Sequence, residues 1–226
     1  MIKALIFDFD GVIIDTEGPE YVTWSEVYAS HGQELPLPLW MTAIGTRDAF
    51  DPIAHLETLV KQPLDREKVM AKKRARLRSI VDDAPLLPGV SDYLTAAPAL
   101  GLKVGIASSA TRWWIDSLLG PRGLAHHFAV ICTSDDVRLA KPDPEVYQKA
   151  VDALGVRPSE AVAIEDSAHG LAAARAAGLH CVVVPNRMTM TMDFAAASLK
   201  LGSLSERQLA EVVRLLDAGQ RSARET

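Results

Sequence analysis

The chain has 226 residues, 48% of them hydrophobic and 23% charged, with a formal net charge of −5. That is enough apolar material for one large domain, or for a core with a smaller insert, and the acidic balance argues against a nucleic-acid or anionic-membrane surface. No apolar run is long enough to span a bilayer, and the N-terminal one stops at Asp8, too short for a signal-peptide core.

The first predicted element is a strand from Lys3 to Asp10, built on the apolar run Ala4-Leu5-Ile6-Phe7 with turn chemistry at Gly11. Side chains two apart on an extended segment point the same way, so Asp8 and Asp10 are expected to project together from its C-terminal end. Two close carboxylates repel, and such a pair asks for a cation or a shared proton. From Asp15 to about Pro85 the chain reads as helical. Trp24, Val27, Tyr28 and His31 recur at helical spacing, as do Ile53, Leu56, Leu59 and Val60, and Pro36 and Pro38 mark a loop. Between Asp65 and Ile80, Val69, Leu77 and Ile80 form one side of a helix whose many Lys and Arg residues read as a solvated face.

Pro85, Pro88 and Gly89 punctuate the return, after which strands and helices alternate. Strands are predicted at 102–107, 129–132, 161–164 and 180–184, and helices at 113–119, 144–154, 168–177 and 205–217. Cys132 and Cys181 sit in apolar strand-like runs and read as free buried thiols, which points to a cytoplasmic protein. Met188, Met190 and Met192 alternate as in an extended segment and read as core or loop packing, and Gly219 to Thr226 reads as a frayed polar tail. The expectation is an α/β fold: a Rossmann-like parallel sheet core with helices on both faces, from residues 1–15 and 85–226, and an inserted all-helical unit at 16–84.

Polar groups follow several strands. Ser108-Ser109 comes after Ile106-Ala107, Glu165-Asp166-Ser167 after Ala163-Ile164, and Lys141 opens Lys141-Pro142-Asp143-Pro144 before a helix. In open parallel sheets the C-terminal strand edge is where ligands bind. The set suits phosphoryl transfer through a covalent intermediate. A carboxylate attacking a phosphate is an anion meeting an anion, so positive charge must face the equatorial oxygens. Lys141 supplies one such charge. Magnesium, which prefers oxygen ligands such as Asp8 and Asp166, supplies another. Ser108 suits a phosphate oxygen, and Asp10 suits the acid that protonates the leaving alcohol and later activates water. The phosphate-cradling motifs G-x-x-x-x-G-K-S/T and G-x-G-x-x-G are absent.

The string Asp8-Phe9-Asp10-Gly11-Val12-Ile13-Ile14-Asp15-Thr16, with Ser108, Lys141-Pro142-Asp143-Pro144 and Glu165-Asp166-Ser167 followed by Gly170 and Ala172-Ala173, resembles the haloacid dehalogenase superfamily. Within it the likeness is to the subgroup with a helical cap, which includes small-molecule phosphatases and beta-phosphoglucomutase. The resemblance implies Asp8 as nucleophile and Asp10 as general acid and base. It implies Ser108, Ser109 and Lys141 at the phosphoryl group, and Mg2+ held by Asp8, Asp10 through its carbonyl, Glu165 and Asp166.

Two departures bear on substrate. Mutase-like caps carry a histidine where this chain has Glu20, and a basic residue where it has Thr111, with Arg112 one place displaced. Both favour net hydrolysis, because a carboxylate at position 20 repels an anionic ligand. Gly45-Thr46-Arg47-Asp48 resembles the substrate-specificity loop, with Arg47 suited to a distal anion. Of Trp113 and Trp114, one is expected in the core and the other at the cleft. His169 and the His126-His127 pair read as structural. The implied activity is a magnesium-dependent phosphatase of a small phosphorylated metabolite such as a phosphosugar, as a monomer or homodimer. The alternatives are a phosphosugar mutase, or a non-catalytic metabolite-binding protein on the same fold. A hydrolytic dehalogenase is disfavoured, because that chemistry needs neither the second aspartate nor the metal acids.

Overall fold

The computed structural model describes residues 1–47 and 49–222, with side chains described as far as residue 219. Asp48 of the expected specificity loop, and the end of the polar tail, lie outside the described residues.

Strand β1 (Ala4–Phe7) is buried along its whole length and sits between β2 (Lys103–Ala107) and β4 (Ala161–Glu165). With β3 (Val130–Cys132), β5 (His180–Val183) and the short β6 (Leu199–Lys200), it forms a six-stranded sheet of order β3-β2-β1-β4-β5-β6. Every pairing is parallel. Parallel strands are covered on both faces, and β1 shows the two-residue period that makes this possible. Leu5 and Phe7 join one apolar cluster with Leu94, Ile115 and Val212. Those residues come from α5 (Val90–Ala99), α6 (Arg112–Leu119) and α9 (Leu209–Ser222). Ala4 and Ile6 join the opposite cluster with Tyr147, Val151 and Leu171, from α7 (Glu145–Leu154) and α8 (Ala168–Ala176).

Between β1 and α5 the chain forms four helices: α1 (Glu17–Ala29), α2 (Leu37–Met41), α3 (Pro52–Val60) and α4 (Arg66–Val81). They enclose their own apolar cluster of Trp24, Val27, Tyr28, Leu35, Trp40, Ile44, Ile53 and Leu56.

Several local expectations are corrected. Strand β1 ends at Phe7, and Asp10 lies in a tight turn closed by Gly11 N–H to the Ile14 carbonyl at 2.9 Å. Helix α5 went unpredicted because Pro98 and a run of alanines mask its pattern, yet Val90, Tyr93, Leu94 and Ala97 are all buried at helical spacing. The last helix begins four residues later than expected, after a single 3-10 turn at Leu204–Glu206, and continues to Ser222 rather than ending in a tail at Gly219. The methionine segment is a turn, in keeping with the core or loop packing expected of it. Met188 and Met192 pack against the insert's cluster, while Met190 faces solvent. Both cysteines are free and buried, as expected.

Candidate active site

The sheet edge assembles the site from short segments that leave the strands. Asp8 follows β1, and its N–H donates to the Ile164 carbonyl at 2.9 Å. Ser108 follows β2, its N–H donating to the Cys132 carbonyl at 3.0 Å. Asp166 follows β4, and Lys141 comes from the loop before α7. Ladder bonds fix these backbones at the points where the side chains must aim. Asp8, Ser108, Lys141, Glu165 and Asp166 are all buried.

Lys141 is the hub. Its ammonium donates to Asp8 Oδ1 at 2.8 Å and to Glu165 Oε1 at 2.7 Å. Burial works to lower the Lys141 pKa, but Asp8 and Glu165 override it and hold the ammonium above the usual lysine range. Burial pushes Asp8 up to about 7, opposed by Lys141 and reinforced by Glu165. Tyr147 Oη also donates to Glu165 Oε1, at 2.6 Å, while Glu165 Oε2 accepts from the Asp166 N–H at 3.2 Å and from Ser167 Oγ at 3.3 Å. Both oxygens of Glu165 are therefore engaged by protein donors.

Asp8, Glu165 and Asp166 each offer an oxygen within 4.8 Å of the other two. Three carboxylates around one lysine leave excess negative charge in a buried place. Asp166 Oδ1 is buried with no hydrogen-bond partner. Burial, together with the charges of Glu17, Asp8 and Glu165, raises its pKa well above the ordinary value. An orphaned carboxylate oxygen among hard oxygen donors fits a divalent cation such as magnesium or calcium.

Asp10 stands on the side facing the insert. Trp114 Nε1–H donates to its Oδ1 at 2.9 Å and Thr16 Oγ1 at 2.7 Å. Burial raises the Asp10 pKa, and those two bonds moderate the rise. Above it opens a cleft of about 450 Å3 between sheet edge and insert, walled in part by Trp24, Trp40, Phe50 and Trp114. Asp8, Asp10 and Ser108 line this cleft, with Lys141, Glu165 and Asp166 buried behind them, an arrangement able to support phosphoryl transfer.

The family model for haloacid dehalogenase-like hydrolases matches residues 5–184. The chain belongs to the haloacid dehalogenase-like hydrolases. YhcW of Bacillus subtilis (strain 168) is 45% identical across 93% of this chain and 96% of its own. Hexitol phosphatase B of Escherichia coli (strain K12) is 33% identical across 91% and 94%. Among solved structures, CbbY from Rhodobacter sphaeroides in complex with phosphate superposes with a TM-score of 0.76, at 30% identity, over 91% of this chain and 96% of that one. The expected phosphoric monoester hydrolase stands with the family.

Within this haloacid dehalogenase-like chain several of the other predicted residues meet at the 44–47 loop. Arg47 lines the cleft and donates to Ser134 Oγ at 2.9 Å. Ser109 donates to the Gly45 carbonyl at 3.2 Å, so its hydroxyl reaches the insert. Nδ1 of His169 bonds the Ile44 carbonyl at 2.8 Å, a satisfied histidine as expected. Gly45, at φ 80°, passes so close that a β-carbon there would overlap Ser167 Oγ. These contacts latch the 44–47 loop onto the sheet edge.

Glu20 lines the cleft and is ion-paired with Lys73. Lys73 is only 5% exposed and lies 5.4 Å from the Trp24 ring centroid. The basic face of α4 is thus not wholly solvated, and the expected repulsion by Glu20 is offset. A lysine four residues from both Val69 and Leu77, on their apolar stripe, was the available signal. Arg112 turns to Asp116, with Nε 2.9 Å from its carboxylate, and does not line the cleft. Trp114 both packs on the core and lines the cleft, leaving Trp113 66% exposed, so neither indole is fully internal. Glu17, not singled out from the sequence, also lines the cleft. Its pKa is raised by burial and by the charges of Asp10, Glu20 and Asp8.

Proposed function

We propose that the protein is a magnesium-dependent phosphatase of a small phosphorylated metabolite, a phosphosugar or sugar alcohol phosphate, acting through an aspartyl-phosphate on Asp8. The observation that carries this reading is the juxtaposition at the cleft floor. Asp8 is bonded to Lys141 beside the bare oxygen of Asp166, and Asp10 is held by Trp114 and Thr16 on the side facing the insert.

In this reading residues 1–15 and 85–226 form the catalytic core and 16–84 the cap. Bound by Asp8, Asp166 and the Asp10 carbonyl, magnesium supplies positive charge against the transferring phosphoryl oxygens. An Asp8 carboxylate oxygen attacks phosphorus. The bond from phosphorus to the leaving oxygen breaks, and Asp10, whose pKa burial raises, delivers its proton to that oxygen. Asp10 then takes a proton from water as that water attacks phosphorus, breaking the bond to Asp8 and releasing inorganic phosphate. Lys141 and Ser108 hold the phosphoryl oxygens, while Glu165 orients Lys141 rather than reaching the cation. The docked cap excludes bulk water.

Aromatic walls beside the Glu20–Lys73 donor and acceptor pair suit a polyhydroxylated leaving group. The name of hexitol phosphatase B agrees with that class, and the CbbY structure in complex with phosphate agrees with a phosphoryl site. Arg112, engaged by Asp116, offers no grip for a second phosphate, which favours hydrolysis over a mutase cycle. Free buried thiols fit a cytoplasmic setting.

The test is phosphate release from a panel of sugar and sugar alcohol phosphates, with magnesium and with chelator. Asp8→Asn should abolish release while leaving the fold intact, because an amide does not attack phosphorus. Wild-type turnover in excess chelator, or by Asp8→Asn, would overturn the reading. Beta-glucose 1-phosphate with catalytic bisphosphate should yield free phosphate. Rapid glucose 6-phosphate with little free phosphate would make it a mutase.

A further inference from the structure

We propose that Asn186 is a positioning residue of this site: its amide clamps one oxygen of Asp166 so that the other stays turned toward the cation. The proposal rests on the divalent-cation reading given above. Asp166 Oδ2 accepts from Asn186 Nδ2 at 2.6 Å, while Asp166 Oδ1 is buried and unpartnered. One oxygen is therefore held and its twin left bare. A free carboxylate rotates about its last bond, and a fixed donor on one oxygen decides where the other points.

The orientation of the Asn186 amide is set by its own partners. Its Oδ1 accepts the Met188 N–H at 2.8 Å, so the NH2 end must face Asp166. The backbone is held as well. Asn186 N–H donates to Thr189 Oγ1 at 3.0 Å, and the Asn186 carbonyl accepts from Thr189 N–H at 3.2 Å and Met190 N–H at 3.0 Å. Thr189 is fully buried. On the other side stands Gly11 at φ 73°. A β-carbon there would overlap Asp166 Oδ2 and approach Asn186 Nδ2 to 2.7 Å. The amide and carboxylate are thus packed between a buried turn and a bare backbone.

The choice of an amide has a physical reason. Lysine at this place would neutralise the charge that attracts the cation, as Lys141 does for Asp8 and Glu165. A neutral donor fixes geometry and leaves the charge in place. Partners that hold a ligand's second atom tune metal affinity in this way.

The experiment measures cation binding without substrate, by calorimetric titration of magnesium into wild type, Asn186→Ala and Asn186→Leu. Leucine keeps the shape of asparagine and removes the donor, and it serves should alanine fail to fold. The expected result is a dissociation constant raised about 10- to 100-fold, with turnover recovering at saturating magnesium. A folded variant that binds magnesium within about twofold of wild type, even with a lowered melting temperature, makes Asn186 merely structural and overturns the proposal. A wild type that binds no magnesium overturns the cation site and this inference with it. Wild-type binding with unchanged variants refutes this inference alone.

Discussion

At the scale of single residues, one indole holds the carboxyl that the proposed mechanism uses as its acid. Trp114 Nε1–H donates to Asp10 Oδ1 across 104 residues of sequence. A hydrogen bond to a charged or half-charged carboxyl is worth about 1.5–3 kcal/mol. Trp114→Phe keeps the ring against the core and removes the donor. Turnover of an alkyl phosphate, whose leaving oxygen needs a proton, should fall at least about tenfold. An aryl phosphate, which leaves as a stable anion, should hardly change. Equal losses on both substrates would place the effect in packing or in the shared hydrolysis of the aspartyl-phosphate, not in protonation of the leaving group. The residue scale is also where sequence reading was weakest. Lys73 looked like one of many surface bases on α4. Its burial depends on Glu20 arriving from α1, and no local pattern contains that meeting.

At the scale of elements, the insert is tied to the core at two places, its middle and its return. The 44–47 loop is latched to Ser109, Ser134 and His169. The return from α4 is held by Arg122, from the turn after α6. Its Nη2 donates to the carbonyls of Val81 at 2.9 Å, Asp82 at 2.8 Å and Ala84 at 2.8 Å, and its Nη1 to Leu118 at 2.9 Å. The last carbonyls of a helix have no partner within it, and here a guanidinium serves several at once. Arg122→Ala should destabilise the protein by about 1.5–3 kcal/mol, lowering the melting temperature by roughly 3–12 °C. The effect should lie in stability and in the insert's anchoring, with the cleft residues untouched. An unchanged melting temperature would show that water replaces the guanidinium without loss.

At the scale of the whole molecule, Glu160 joins the chain's first residues to the entry of β4. Lys3 Nζ lies 2.8 Å from Glu160 Oε1, Arg157 Nη2 is 2.8 Å from the same oxygen, and Lys3 N–H donates to the Glu160 carbonyl at 2.7 Å. Hydrogen bonds from Arg157 and Lys3 hold this carboxyl well below the usual range. A carboxyl whose pKa is depressed by folding stabilises the fold above its unfolded pKa of about 4.3, and that stabilisation fades as pH falls further. Glu160→Gln should therefore lower the urea midpoint at neutral pH, and the gap to wild type should narrow below about pH 4. A gap that stays the same size well below that pH would assign the effect to packing.

The sequence by itself determined the parts that are local. A buried apolar run, a turn glycine and two aspartates announce a strand edge with charge, because burial and two-residue periodicity are properties of neighbouring residues. The alternation after Leu102 implied the parallel sheet, and the family was legible in the resemblance of the motifs. Only the tertiary structure decided the strand order, with β1 between β2 and β4, since register depends on which helices cover which face. It also turned Glu165 toward Lys141 and Tyr147, paired Glu20 with Lys73, and brought Asn186 to Asp166. Each of those is a meeting of groups far apart in the chain. Its free energy depends on desolvation and on distances of about 3 Å, which a linear pattern does not encode.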